Sequence, residues 1–216
     1  MTSDRQSVGD GQDSRLALYT ITALAARLVF RSAFRLKVVS PERIPSRGPL
    51  VVVANHESFV DGFVLMSIFT ERHLTFLSAS YLFERPAIGL FLRGIGALPV
   101  EEQRANVSSL KTAIAILERG GTLAVFPGGG IARDEIFGGA AYLALKASAP
   151  ILPLHIAGTK EALPPGKKWP SFTRVTVRVG IPLSTSEMAN GSPDTRSAVA
   201  EGKRTLARVL SERRLA

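Results

Sequence analysis

The chain contains no cysteine, which removes disulfide staples, thiolate metal sites and a thiol nucleophile together. It also lacks a G-x-S-x-G elbow, an H-E-x-x-H helix and a G-K-[ST] phosphate loop, so the common serine, zinc and nucleotide chemistries have no anchor. Of its three histidines, His73 and His155 stand without carboxylate or histidine partners at ligand spacing; both read as structural, and no metal is expected. Acidic residues are scarce: 18 Asp and Glu face 27 Lys and Arg, giving a net charge of +9 and a pI near 10.5. Such an excess points to an anionic partner, which nucleic acid, a membrane surface or an acidic substrate would each satisfy. Basic residues gather in the first 47 positions, between Lys160 and Arg178, and from Arg196 to Arg214, with no zinc-finger, helix-turn-helix or RNA-binding signature beside them, so nucleic acid is not expected.

What is present fits one globular α/β domain. A length of 216 residues supports one substantial core, and 45% hydrophobic residues with 19 Gly and 13 Pro argue against disorder or a fibre. The polar segment 1–13 reads as a disordered lead without signal-peptide character. Residues 14–37 carry a helical apolar pattern in which Arg27, Arg31 and Arg35 recur along one stripe. Arginines inside a bilayer are costly, so this segment is expected to lie in the headgroup layer as an amphipathic helix, to pack on the domain by its apolar face, or both. Strand-like runs follow at 50–54, 74–78, 122–126, 151–157 and 175–179, separated by helical patterns at 106–118 and 140–148. A basic helix is expected over 195–213. The alternation predicts a single α/β domain over 38–185 with a largely parallel or mixed sheet flanked by helices, and a linker and basic C-terminal helix over 186–216.

The stretch VVVANHESFVDG (51–62) is where chemistry is expected. Five apolar residues read as a buried strand, and the polar cluster beginning at Asn55 and His56 falls where that strand leaves the sheet. Imidazole exchanges protons near neutral pH, and a carboxylate on one ring nitrogen leaves the other free to accept a proton from a hydroxyl. In a regular helix five residues turn through about 500°, which would set His56 and Asp61 roughly 140° apart. They can meet only if His56 lies in the loop and Asp61 just inside the next helix. The alternative is that Asn55 or Ser58 merely caps that helix and His56 is an incidental loop residue.

The segment N-H-E-S-F-V-D resembles the N-H-x4-D motif of the glycerolipid and lysophospholipid acyltransferase family. LFLRGIGALPVEE, VFPGGG and APILPLHIAG resemble the family's later blocks in order, so the resemblance covers roughly residues 50–183. It implies a fatty acyl thioester donor, acyl-coenzyme A or acyl carrier protein, used as a co-substrate with no further cofactor. It also implies a glycerolipid hydroxyl as acceptor, 1-acylglycerol 3-phosphate in the best-known members, and work at the cytoplasmic face of the membrane as a peripheral protein. Carried onto this sequence, His56 is the base and Asp61 its orienting partner, with Asn55, Ser58, Phe126, Pro127, Gly128 and Gly129 shaping the substrate site.

The blocks also depart from the family. Aligned on Gly96, Pro99 and Val100, Glu102 stands where the family has a phosphate-binding arginine; Gly128 replaces a glutamate, and Ile131 an arginine. A carboxylate in place of that arginine would repel a phosphate. Arg104 and Arg133 are the nearby cations that can substitute, and Arg93 can either touch a head group or simply end its helix. A mono- or diacylglycerol, a lyso-aminolipid or another lipid alcohol is therefore an alternative acceptor, and a non-catalytic lipid-binding member is another. Trp169, flanked by Lys167 and Lys168, reads either as a loop tryptophan covering the core or as an anchor at headgroup depth.

Overall fold

The computed structural model describes residues 3–101, 107–128, 131, 138–164, 166–167 and 169–211. Seven strands, β1 (Lys37–Val39), β2 (Leu50–Ala54), β3 (Leu74–Ala79), β4 (Leu98–Val100), β5 (Thr122–Val125), β6 (Ile151–Ala157) and β7 (Thr176–Val179), form one sheet ordered β1-β7-β6-β2-β5-β3-β4. Neighbours run parallel except β6 and β7, which are antiparallel, so the sheet is mixed as the alternating pattern implies. β2 is unbroken LVVVA because both faces are covered, which removes any need for a polar alternation. Leu50, Val52 and Ala54 point into one apolar cluster, Val51 and Val53 into the other, and all five are fully buried.

The second cluster is filled from α4 (Val107–Glu118), α5 (Gly139–Lys146), α7 (Thr185–Ala189) and α8 (Thr195–Ser211), through residues such as Leu117, Leu143, Met188 and Leu206. The first is covered by α1 (Ser3–Ser32) and α2 (Asp61–Ile68). α1 buries Tyr19, Ala23, Ala26 and Phe30, with Phe34 just beyond its end, at spacings that keep one helical face on the core. The two alanines let the backbones approach closely, and the aromatics fill the space on either side.

α1 differs from the sequence expectation in three respects. It is helical from Ser3, so most of the lead expected to be disordered belongs to it. It ends at Ser32 rather than near residue 37, because Arg35 adopts a left-handed backbone (φ 46°) and the chain turns out into β1, which the sequence reading missed. Finally, the leucine-rich side is not the packed side. Ile21 and Leu28 are 66% and 70% exposed, and Leu16, Leu24 and Val29 also face outward. Among the described residues no helix is long and apolar enough to cross a membrane.

The short β4, with Pro99 inside it, was also missed; at the sheet edge its proline can be tolerated. α3 (Pro86–Gly94), with proline in its first turn, precedes it.

Candidate active site

β2 and β5 are parallel neighbours in a register that pairs Val53 with Val125, so the loops leaving their C-terminal ends lie side by side. That is the crevice where open α/β sheets hold ligands. Asn55 is the hinge of the first loop. Its side-chain amide donates to the Ile156 carbonyl at 2.8 Å and accepts the Ile156 N–H at 2.7 Å, so a side chain continues the ladder with β6 just as the β2 backbone turns away. Released from the sheet, His56 projects toward β5.

Five residues on, Asp61 opens α2, and it is buried. One carboxylate oxygen, Oδ2, accepts the N–H groups of Glu57 and Ser58 at 2.7 and 2.9 Å and lies 2.9 Å from His56 Nδ1. The His56–Asp61 contact thus forms in the way the rotation argument required, with the histidine in the loop and the aspartate at the helix start. A carboxylate in the first helical turn is also favoured by the helix dipole. The same oxygen wraps the loop around itself and orients the ring. Its mate, Oδ1, is buried without a hydrogen-bond partner.

The imidazole stacks on Phe126, the residue following β5, with centroids 4.1 Å apart and planes 17° from parallel. The His56 side chain remains 18% exposed. With Nδ1–H donating to the carboxylate, Nε2 is left as the acceptor.

That exposed side faces a cavity of about 660 Å³, within the range of small-molecule sites. Its walls are overwhelmingly apolar: Phe63, Met66, Phe76, Phe91, Ile95 and Leu143 are representative, and Phe126 and Pro127 contribute from the β5 turn. Among the described lining residues the polar side chains are His56, Ser78, Tyr81 and Glu101, and none is lysine or arginine. Sequence reasoning did not single out Ser78, Tyr81 or Glu101. Their positions at the exits of β3 and β4, beside the exits of β2 and β5, were the available signal.

Several expected substrate contacts have other partners. The buried Ser58 hydroxyl donates to the Leu163 carbonyl at 2.7 Å, fastening the histidine loop to the loop before β7. Asn55, as described, holds β6. The Arg93 guanidinium donates to the Phe83 carbonyl at 3.1 and 2.9 Å and lies 5.9 Å from the Phe83 ring centroid. It braces α3 against the 3-10 turn Ser80–Glu84. Gly128 is buried in the turn after Pro127, while Gly129, Arg104 and Arg133 lie outside the described residues, as does Glu102. Trp169 does not cover the core; it is 84% exposed.

His56, held by the buried Asp61, thus stands in the wall of an apolar cavity at the C-terminal edge of a mixed α/β sheet, an arrangement suited to chemistry on an apolar substrate. The chain belongs to the acyltransferase family, whose model, Acyltransferase, matches residues 35–157. It is 26% identical over 175 residues to the 1-acyl-sn-glycerol-3-phosphate acyltransferase of Bacillus subtilis, covering 80% of this chain and 86% of that protein. It is 28% identical over 189 residues to the chloroplastic 1-acyl-sn-glycerol-3-phosphate acyltransferase LPAT1 of Arabidopsis thaliana, and there it spans 84% of itself but only 52% of the plant protein. Its fold matches the crystal structure of the 1-acyl-sn-glycerophosphate acyltransferase PlsC from Thermotoga maritima with a TM-score of 0.69, at 21% identity, over 93% of this chain and 81% of that one.

Proposed function

We propose that the protein transfers a fatty acyl group from a thioester of coenzyme A or acyl carrier protein to a hydroxyl of a lysoglycerolipid such as 1-acylglycerol 3-phosphate, in phospholipid synthesis. The observation that carries this reading is the 2.9 Å His56–Asp61 contact at the wall of the apolar cavity. In the proposed reaction the acceptor hydroxyl gives its proton to His56 Nε2 as its oxygen bonds to the thioester carbonyl carbon. The resulting tetrahedral intermediate collapses by breaking the C–S bond, and the imidazolium returns the proton to the departing thiolate. Asp61 holds the tautomer and balances the transient positive charge. No enzyme-bound acyl group forms, which suits a chain without cysteine. The cavity provides a dry channel for the acyl tail, whose transfer from water is favourable by roughly 0.8 kcal/mol per methylene.

The outward Ile21, Leu24 and Leu28 of α1, with Arg27 and Arg31 beside them, support attachment to an anionic membrane surface without a span. The acceptor would be met at that surface.

One observation favours a second acceptor. Glu101 is the one carboxylate, and no lysine or arginine stands beside it, among the described residues lining the cavity; a carboxylate there suits a neutral or amine-bearing lipid alcohol better than a phosphate. Purified protein incubated with labelled acyl-coenzyme A or acyl carrier protein and lysophosphatidate, monoacylglycerol or a lyso-aminolipid separates the two. Preferred acylation of lysophosphatidate supports the first reading and preference for the others the second; no product with any acceptor and either donor would sink both.

A further inference from the structure

The loop between α6 (Thr159–Ala162) and β7 carries the most exposed aromatic side chains of the described chain outside the cavity mouth. Trp169 is 84% and Phe172 62% exposed, and the exposed cations Lys160, Lys167 and Arg174 flank them in sequence, with one described acid, Glu161. Large rings left in water cost free energy unless something covers them.

The loop is nonetheless built rather than slack. The Ser171 N–H donates to the Ala162 carbonyl at 2.7 Å, and the Thr173 hydroxyl donates to the Gly158 carbonyl at 3.3 Å. Gly158 has φ +91°, and a Cβ there would meet the Arg174 carbonyl oxygen at 2.2 Å, so the loop closes tightly on a residue that must be glycine. Two further attachments fix where it lies. At one end Phe172 packs on Phe34 with centroids 5.5 Å apart, the Arg35 guanidinium donates to the Phe172 carbonyl, and the Val175 N–H donates to the Phe34 carbonyl. The loop therefore continues from the end of α1, the helix that turns Ile21, Leu24 and Leu28 outward. At the other end the Leu163 carbonyl receives the Ser58 hydroxyl from the His56 loop.

We propose that the described part of this loop carries a second lipid-contacting surface, in which Trp169 and Phe172 enter the headgroup layer of an anionic bilayer while Lys160, Lys167 and Arg174 meet its phosphates. Tryptophan is enriched at that depth because its ring is apolar and its N–H polar. Cations flanking it add attraction to anionic lipid that salt weakens. An acidic protein would meet the same charges, but it gives no reason for bare rings to sit beside the end of α1, the helix that turns an aliphatic stripe outward. The surface rests on the reading of this chain as a lipid acyltransferase, and lies one hydrogen bond from the histidine loop.

Trp169 is the single tryptophan of the chain, so its fluorescence reports this loop alone. With phosphatidylcholine vesicles containing phosphatidylglycerol, its emission is expected to shift to the blue and to be quenched by lipids brominated along the acyl chain. Both effects are expected to weaken with salt and with phosphatidylcholine alone. Trp169→Ser, a change at a side chain almost wholly in solvent, is expected to weaken cosedimentation at least about tenfold, with the thermal midpoint unchanged. Vesicle binding with unshifted, unquenched emission overturns the proposal, as does undiminished cosedimentation of Trp169→Ser, failure to bind anionic vesicles at all, or a shift produced by acyl carrier protein and not by lipid. His56→Ala separates the two readings, since it is expected to abolish transfer in detergent micelles and leave vesicle binding and the emission shift intact.

Discussion

His56 does two things at once in the proposed reaction: it takes a proton at Nε2 and keeps Nδ1 on Asp61. Replacing it by alanine is expected to lower kcat by about 10³ or more, because no other described cavity residue is a comparable base. A single-turnover assay that finds transfer unchanged in His56→Ala would remove the imidazole from the mechanism. Asp61→Asn is nearly isosteric but trades an acceptor for an amide, and Oδ2 has three N–H-bearing neighbours to satisfy. It is expected to cost about 10²-fold or more in kcat, with KM little altered, and steady-state kinetics with the preferred acceptor separates the two. Asn55→Ala leaves both polar groups of Ile156 without their partners, so chemical denaturation should register a loss of about 1–3 kcal/mol. The contact between His56 and Asp61 was legible in the sequence because proton chemistry restricts which side chains make such a pair and helix rotation restricts where they can meet. Asn55, Ser58 and Arg93 each kept two readings, substrate contact or structural support, because a polar side chain near a site looks alike whether it faces a ligand or a carbonyl. Only the three-dimensional path of the chain brings Ile156, Leu163 and Phe83 within reach of them.

At the scale of the element, α1 is held by a small polar contact as well as by its aromatics. The Tyr19 ring lies 4.1 Å from His73, its hydroxyl accepts the Leu74 N–H at 3.1 Å, and it reaches the Arg72 carbonyl at 3.4 Å. Burial pushes the Tyr19 hydroxyl up to about 12 and holds His73 below the ordinary histidine value, so the fold keeps both groups neutral. As pH falls below about 6.5 the unfolded chain binds a proton at residue 73 that the folded chain resists, and stability is lost on acidification. As pH rises from about 10 toward 12 the unfolded chain loses the tyrosine proton first, and stability is lost again. Thermal midpoints measured across that range are expected to fall at both ends, with His73→Phe flattening the acid limb and leaving the alkaline one. An acid limb of unchanged slope in His73→Phe would assign it to other groups. The outward side of α1 calls for a different test. Since Tyr19, Phe30 and Phe34 are core residues, deleting the helix would expose the domain, whereas Leu24→Glu with Leu28→Glu changes only its free face. That pair is expected to abolish cosedimentation with anionic vesicles while leaving the thermal midpoint within a degree or so of its starting value; vesicle binding that survives it would relieve α1 of that role. Periodicity announced this helix but could not choose its packed side. Leucines and aromatics share one helical period, and it was Ala23 and Ala26, small enough for close approach, that decided which face α2 meets.

Across the whole molecule, the central strands were the most legible part. β2 and β6 have the bounds that their apolar runs suggested, since burial on both faces leaves a continuous signature. The edge strands β1 and β4 are three residues each, too short to carry a pattern, and exist because neighbours offer them hydrogen bonds. The cavity was not legible at all, because its walls are ordinary apolar residues from β3, α2, α3 and α5 whose common feature is a space they fail to fill. The sheet order has a further consequence for how the protein is made. β1 follows α1 directly, yet it pairs with β7, some 140 residues later, and the first strand α1 could lie against appears only after α1 is finished. During synthesis the aromatic face and the leucine face of the helix therefore emerge uncovered together, and the core that will claim the first of them is made only later.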